Sequence, residues 1–274
     1  MYIEFFGMAQ YPFSLTPNTR FFLKLPSHEQ AFGSLLATLD ARSGFSKIVG
    51  EVGTGKTMLC RKFLNSLEAH KQRYITAFIP HPILSEDAVM HTLAEELGIE
   101  RTSDISYYEL LKLITEAIIG FCNEDKIVVL FIDEAQAMPE ESLEAIHLLR
   151  NAKTEDGRHL QVVLFGQPEL DRLLKQPALK KLNENISFSF ELPALSEGNT
   201  VAYVRHRLLK SGYNGPALFS RNALELLYRG SAGIPRLINI LTHKALMVAF
   251  GKGKLLVSEN HIQAAIEDTD TAHR

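Results

Sequence analysis

The chain has 274 residues, 46% of them hydrophobic and 22% charged, with a formal net charge of −3. This is ordinary globular composition, long enough for one large domain or a large and a small one, and no apolar run reaches the length of a membrane span. Residues 1–195 carry 19 Lys/Arg against 26 Asp/Glu (−7) and residues 196–274 carry 10 against 6 (+4), so neither half reads as a surface dominated by phosphate-backbone contacts.

In chain order, residues 1–25 read as irregular and aromatic-rich, with turns at Pro12-Phe13 and Thr16-Pro17. Glu29 to Arg42 has helical periodicity, and Phe45–Val49 reads as a buried strand followed by a helix to about Ala69. Tyr74–Ile79 is a second strand, closed by Pro80 and Pro82. Ser85 caps a helix running to Gly98, and another spans roughly Ser106 to Phe121. Ile127–Ile132 is a continuous apolar run, as in a strand buried on both faces of a parallel sheet. Glu140 to Asn151 is helical, Leu160–Phe165 another central strand and Ile186–Leu192 a fifth. From Ser196 the pattern is only helical, with Ser196, Ser220 and Ser258 as N-cap candidates and Pro235 at a first helical position. The expectation is an α/β sandwich around a mostly parallel sheet, residues 1–195 (1–44 being an N-terminal segment and helix), followed by a helical lid, residues 196–274.

Gly50-Glu51-Val52-Gly53-Thr54-Gly55-Lys56-Thr57 fits the phosphate-binding pattern G-x-x-x-x-G-K-[ST] at every fixed position, and Met58 continues it into the helix. The three glycines allow the backbone to approach a phosphate without a Cβ in the way. Loop N–H groups and the positive end of the following helix then converge on an anion. Lys56 adds a charge on the β/γ-phosphates, and the Thr57 hydroxyl can ligate Mg²⁺. A glycine-rich turn that merely starts a helix is the bland alternative. The pattern and its strand–loop–helix setting together predict nucleoside-triphosphate binding.

The apolar strand Ile127–Ile132 ends in Asp133-Glu134-Ala135-Gln136. A carboxylate at the C-terminal edge of a neighbouring strand can hold the Mg²⁺ hydration shell, the role expected of Asp133. Glu134 is placed to polarise a water in line with the γ-phosphate. Two acids that simply solvate a strand tip are the alternative. Asp-Glu-Ala-Gln is also a helicase motif, but helicases of that kind need two tandem domains and this chain is too short for both. Gln167, after the fourth strand, would reach the γ-phosphate or the attacking water, or be an exposed turn residue. Arg236, in Gly233-Ile234-Pro235-Arg236, can swing onto bound phosphates. The cysteines, Cys60 and Cys122, and histidines such as His28, His81 and His147 show no metal-ligand spacing.

These motifs, in this order, resemble the Walker A, Walker B, sensor 1 and sensor 2 elements of the AAA+ family. Tyr11-Pro12-Phe13, Leu15-Thr16-Pro17 and Gly166-Gln167-Pro168-Glu169-Leu170 narrow the resemblance to the ExeA/general-secretion-pathway-A group, and within it to ATPases of the MshM type associated with MSHA-like type IV pilus biogenesis. The resemblance implies ATP/ADP and Mg²⁺ as cofactors, ATP hydrolysis supporting pilus or type II secretion apparatus assembly, Phe13 near the adenine, and nucleotide-dependent homo-oligomers. It also implies an envelope assembly protein as partner, since longer members continue into a membrane helix and a peptidoglycan-binding module. Met1-Tyr2-Ile3-Glu4 lacks a basic signal-peptide region, so a cytoplasmic protein recruited to the inner membrane is expected, without direct membrane insertion. Members of the group usually carry an Arg where this chain has Asn185, and often another where it has Ser189. That departure opens an alternative: a nucleotide-gated assembly platform with little intrinsic hydrolysis. Transposition ATPases of the TniB type share the motifs, so a DNA-transposition regulator is the other alternative, although nucleic-acid binding is not favoured by charge.

Overall fold

Every residue of Ile127–Ile132 and of Leu160–Gly166 is buried, which is what continuous apolar runs require of strands covered on both faces. In the computed structural model, which describes residues 2–80, 85–100, 105–150 and 160–272, the elements run α1 (Tyr2–Phe5), α2 (Pro26–Asp40), β1 (Phe45–Val49), α3 (Lys56–Glu68), β2 (Tyr74–Ile79), α4 (Glu86–Glu96), α5 (Tyr107–Asn123), β3 (Ile127–Ile132), α6 (Glu140–Arg150), β4 (Leu160–Gly166), α7 (Glu169–Leu174), α8 (Lys180–Glu184), β5 (Ile186–Glu191), α9 (Glu197–Lys210), α10 (Arg221–Ser231), α11 (Pro235–Gly251) and α12 (Glu259–Ala272). His81, Pro82 and Asn151 lie outside the described residues.

The five strands form one parallel sheet in the order β2-β3-β4-β1-β5. Parallel pairing needs crossover helices, and the alternation of strands and helices along the chain supplies them. Edge strand β5 alternates half-buried and exposed residues, whereas β3 and β4 do not alternate. One expectation needs correcting. The strand carrying Asp133 was expected to neighbour the strand before the phosphate-binding loop, but β4 lies between β1 and β3. Segment order along the chain does not encode strand order in space, and long-range pairing decides it.

The chain divides into two compact units. The α/β unit, Pro26–Glu51 and Leu59–Leu192, has a core built from β1–β4 and the helices packed on them, including Val128, Leu130, Ile132, Val162 and Leu164. The helical unit holds Met1–Leu25, Val52–Met58 and Pro193–Arg274. The sequence assigned residues 1–25 to the α/β part. Their aromatic side chains Tyr2, Phe6 and Phe13 instead pack with Val204, Leu208, Ile238 and Leu246 of the helical unit. Arg207 fixes that segment: its Nε donates to Pro12 O (2.5 Å), Nη2 to Ser14 O (3.2 Å) and Nη1 to Tyr203 Oη (2.6 Å), over the Phe21 ring.

Local signals explain the helix starts. Ser196 and Ser220 accept hydrogen bonds from the backbone N–H of Asn199 and Ala223, and Ser106 forms a reciprocal capping box with Glu109. Pro235 opens α11. Ser258 departs from the simple cap: its N–H donates to His261 Nδ1 at 3.0 Å. Among the described residues, no helix is long and apolar enough to cross a membrane.

Candidate nucleotide site

The β1–β4 ladder continues one residue past β1, where Gly50 N–H donates to Gly166 O at 3.2 Å. The chain then enters the phosphate-binding loop. Gly53 (φ +84°) and Gly55 (φ +104°) occupy backbone conformations that favour glycine. A Cβ at Gly55 would meet nothing within 4 Å, so this stretch of backbone is open. A Cβ at Gly53 would lie 2.7 Å from Arg236 Cβ, and Arg236 N–H donates to Gly53 O at 3.2 Å. Within the helical unit, then, the start of α11 is seated on the loop. Gly233 (φ +72°) makes that seating feasible, because a Cβ there would come within 2.0 Å of Leu195 O, while Leu195 N–H donates to Gly233 O at 2.9 Å.

Lys56 and Thr54 are buried, and Thr57 and Met58 are half-buried, at the start of α3. The first turn of any α-helix has N–H groups without intrahelical partners, and Lys56 begins this one. Glu51 and Val52 are exposed on the loop.

In the α/β unit, Asp133, Glu134, Gln136 and Gln167 meet at the carboxyl ends of β3 and β4. Asp133 is buried, its N–H donates to Ile79 O (3.0 Å), and its Oδ1 accepts from Glu134 N–H (3.0 Å). Glu134 takes a left-handed conformation, φ +52°, at the head of a short 3-10 turn spanning Ala135–Ala137. Its Oε2 accepts from Gln136 Nε2 (2.6 Å) and from Gln167 Nε2 (3.0 Å). Gln167 N–H donates in turn to Gln136 Oε1 (3.0 Å). A carboxylate so held can accept a proton from a water. The sequence singled out Glu134 and Gln167 separately, and the structure joins them. It gave no role to Gln136, for which the only sequence signal was its place in the Asp-Glu-Ala-Gln run. Cys60 lies in α3 with its thiol pushed well above its ordinary range, by burial and then by the Asp133 charge, so it is a poor nucleophile.

Phe13 is buried in the helical-unit core and lines, with Tyr2, Tyr11, His243, Met247 and Phe250, a cavity of about 590 Å³. His147 is buried, stacked on Phe45 and held below its ordinary pKa by burial and by Arg150. Asn185 is exposed at the end of α8, where its Nδ2 donates to Lys181 O at 2.8 Å.

Among the described residues, no group of three or more His, Cys, Asp or Glu could hold a metal on its own.

Residues 39–174 match the AAA domain family. The chain is 36% identical over 265 residues to general secretion pathway protein A of Aeromonas hydrophila, an alignment covering 97% of this chain and 48% of that one. It therefore spans about half the length of the curated relative it matches. Among solved structures it is similar to Cdc6p from Pyrobaculum aerophilum (TM-score 0.69, 18% identity, 90% of this chain and 67% of that one). It is also similar to the ADP form of the Aeropyrum pernix ORC2 protein (0.68, 15%, 93% and 71%) and to the Thermotoga maritima RuvB branch migration motor (0.61, 16%, 94% and 73%). At these identities the likeness establishes the fold, which is the AAA+ P-loop fold with a parallel five-stranded sheet and a helical C-terminal part.

Proposed function

Since the chain is an AAA-family protein homologous to general secretion pathway protein A, we propose that it is a Mg²⁺-dependent ATPase supporting assembly of a secretion apparatus or, on the MshM resemblance, an MSHA-like type IV pilus. The observation that carries the reading is the Glu134 carboxylate held by Gln136 and Gln167 at the carboxyl ends of β3 and β4. A pair of acids that merely solvated a strand tip would have no need of two converging amides.

In this reading the N–H groups of residues 53–57 and the Lys56 ammonium bind the phosphates, with Gly50, Glu51 and Val52 forming the rest of the loop. Thr57 and Asp133 would hold Mg²⁺, which when bound neutralises charge on the β- and γ-phosphates. Glu134 accepts the proton of the attacking water, Gln167 reports the γ-phosphate and Arg236 neutralises phosphate charge. The resemblance assigns Phe13 to the neighbourhood of the base, and Met58 to the nucleotide-binding stretch. A helical lid beginning at 196, nucleotide-dependent homo-oligomers, an envelope assembly partner and a cytoplasmic location at the inner membrane belong to the same proposal.

The test is binding of a fluorescent ATP analogue with and without Mg²⁺. Lys56→Ala should abolish binding, whereas equal affinity for the variant and the parent would sink the site assignment.

Asn185 favours a second reading, a nucleotide-gated platform with slow hydrolysis. It stands where the group carries an Arg, and an Asn amide cannot reach or charge-stabilise a neighbour's phosphates as a guanidinium does.

A further inference from the structure

Gln136 is fixed from both ends. A backbone N–H can only donate, so the Gln136 atom meeting Gln167 N at 3.0 Å is its carbonyl oxygen. The other end of the amide is then its NH₂ group, and it faces the Glu134 carboxylate, which only accepts, at 2.6 Å. A flipped amide would lose both bonds and set oxygen against oxygen.

Two further features point the same way. A Cβ at Gly166 would come 2.8 Å from Leu170 Cδ2 and 3.2 Å from Gln136 Oε1, so the glycine ending β4 leaves room for both side chains. Glu134 also sits at φ +52°, a conformation that a non-glycine residue keeps only where its surroundings determine it. The hydrogen bond from Ala137 N–H to Glu134 O (2.9 Å) closes the turn that carries Gln136 back to the carboxylate.

We infer that Gln136 is a positioning residue for hydrolysis: it aims the Glu134 carboxylate and ties it to the Gln167 main chain at the end of β4. The inference rests on the hydrolytic reading of Glu134 proposed above. Gln136 acts through Glu134, to whose carboxylate its amide donates. Its length matters because it must span from Gln167 N to Glu134 Oε2, and its chemistry matters because it must accept at one end and donate at the other.

The experiment is single-turnover ATP hydrolysis, with protein in excess, for wild type, Glu134→Gln, Gln136→Met and Gln136→Glu, alongside fluorescent-ATP affinity and thermal melts. Met keeps the length without either hydrogen bond. Glu keeps an acceptor for Gln167 N–H but offers the carboxylate no donor. Both should lower the rate constant on the order of tenfold to a hundredfold, as misplacement of a reacting group does, with ATP affinity within about threefold of wild type. A packing role would be satisfied by Met, and would give near-wild-type rates. If Gln136→Met does not fold, Gln136→Glu carries the test alone. Rates at or above wild type in the folded Gln136 variants, with Glu134→Gln inactive, overturn the inference and leave the ATPase reading standing. A silent wild type, or an active Glu134→Gln, overturns both.

Discussion

Arg236 and Gly53 meet at the backbone: the Arg236 N–H donates to the Gly53 carbonyl at 3.2 Å, and the space a Gly53 side chain would need is filled by Arg236 Cβ. Arg236, the second residue of α11, is thus in contact with the phosphate-binding loop through its main chain, leaving the guanidinium to act separately. Gly53→Ala should therefore do two kinds of damage, a φ of +84° that alanine resists and a 2.7 Å clash. We expect destabilisation of about 1–3 kcal/mol and loss of nucleotide binding. Arg236→Ala should keep the fold and weaken only the nucleotide-dependent properties. Urea titrations and fluorescent-ATP binding on both variants check the contrast, and indistinguishable variants would contradict it.

Arg207 is 5% exposed and joins the carbonyls of Pro12 and Ser14 to α9. Arg207→Ala leaves those carbonyls short of a charged donor, and the expected cost is about 3 kcal/mol. Lysine cannot reproduce the planar fork, so Arg207→Lys should recover less than half of it. Equilibrium urea unfolding measures both, and a lysine variant as stable as the parent would show that the fork geometry is irrelevant.

Acid should destabilise the helical unit from its histidines. His261 is held below its ordinary pKa by burial and by Lys252 and Lys254, and His243 and His206 are lowered by burial first. A lowered folded value means that the unfolded chain takes up protons first as pH falls below about 6.5. Stability is therefore fully present above that pH and declines beneath it, by at most about 1.4 kcal/mol per pH unit for each histidine. Protonating His261 also turns the acceptor for Ser258 N–H into a donor, which opens the start of α12. Urea midpoints at pH 7.5, 6.5 and 5.5 should fall, and His261→Gln should flatten part of the slope. A flat profile for the parent would refute this.

Asn185 is exposed and its amide serves only the Lys181 carbonyl within the described contacts. Asn185→Arg should leave stability within about 0.5 kcal/mol. If a neighbouring copy's arginine is what the site lacks, turnover should rise at least tenfold, short of the 10³–10⁵ a native finger supplies. Steady-state assays across protein concentrations decide it, and an unchanged rate would place the missing charge elsewhere.

Much of this was legible in the sequence, for physical reasons. A strand covered on both faces must be apolar throughout, so β3 and β4 announce themselves. The phosphate loop was readable because its chemistry fixes residue types at short spacing, and Ser196 and Ser220 because caps are local. What escaped was long-range. The insertion of β4 between β1 and β3 depends on pairing across more than 100 residues. The union of residues 1–25 with the helical unit rests on Arg207, whose partners lie 193 and 195 positions away. The Gln136–Gln167 bond likewise spans 31 residues, and neither residue type signals it in isolation.

The most direct measurement is ATP turnover by the wild-type chain over a protein-concentration series, beside Glu134→Gln. The account predicts Mg²⁺-dependent turnover in the wild type and a loss of at least about a hundredfold in Glu134→Gln, with ATP binding retained in both. Turnover by Glu134→Gln at the wild-type rate would contradict it, because the carboxylate that Gln136 and Gln167 hold would then have no part in the chemistry.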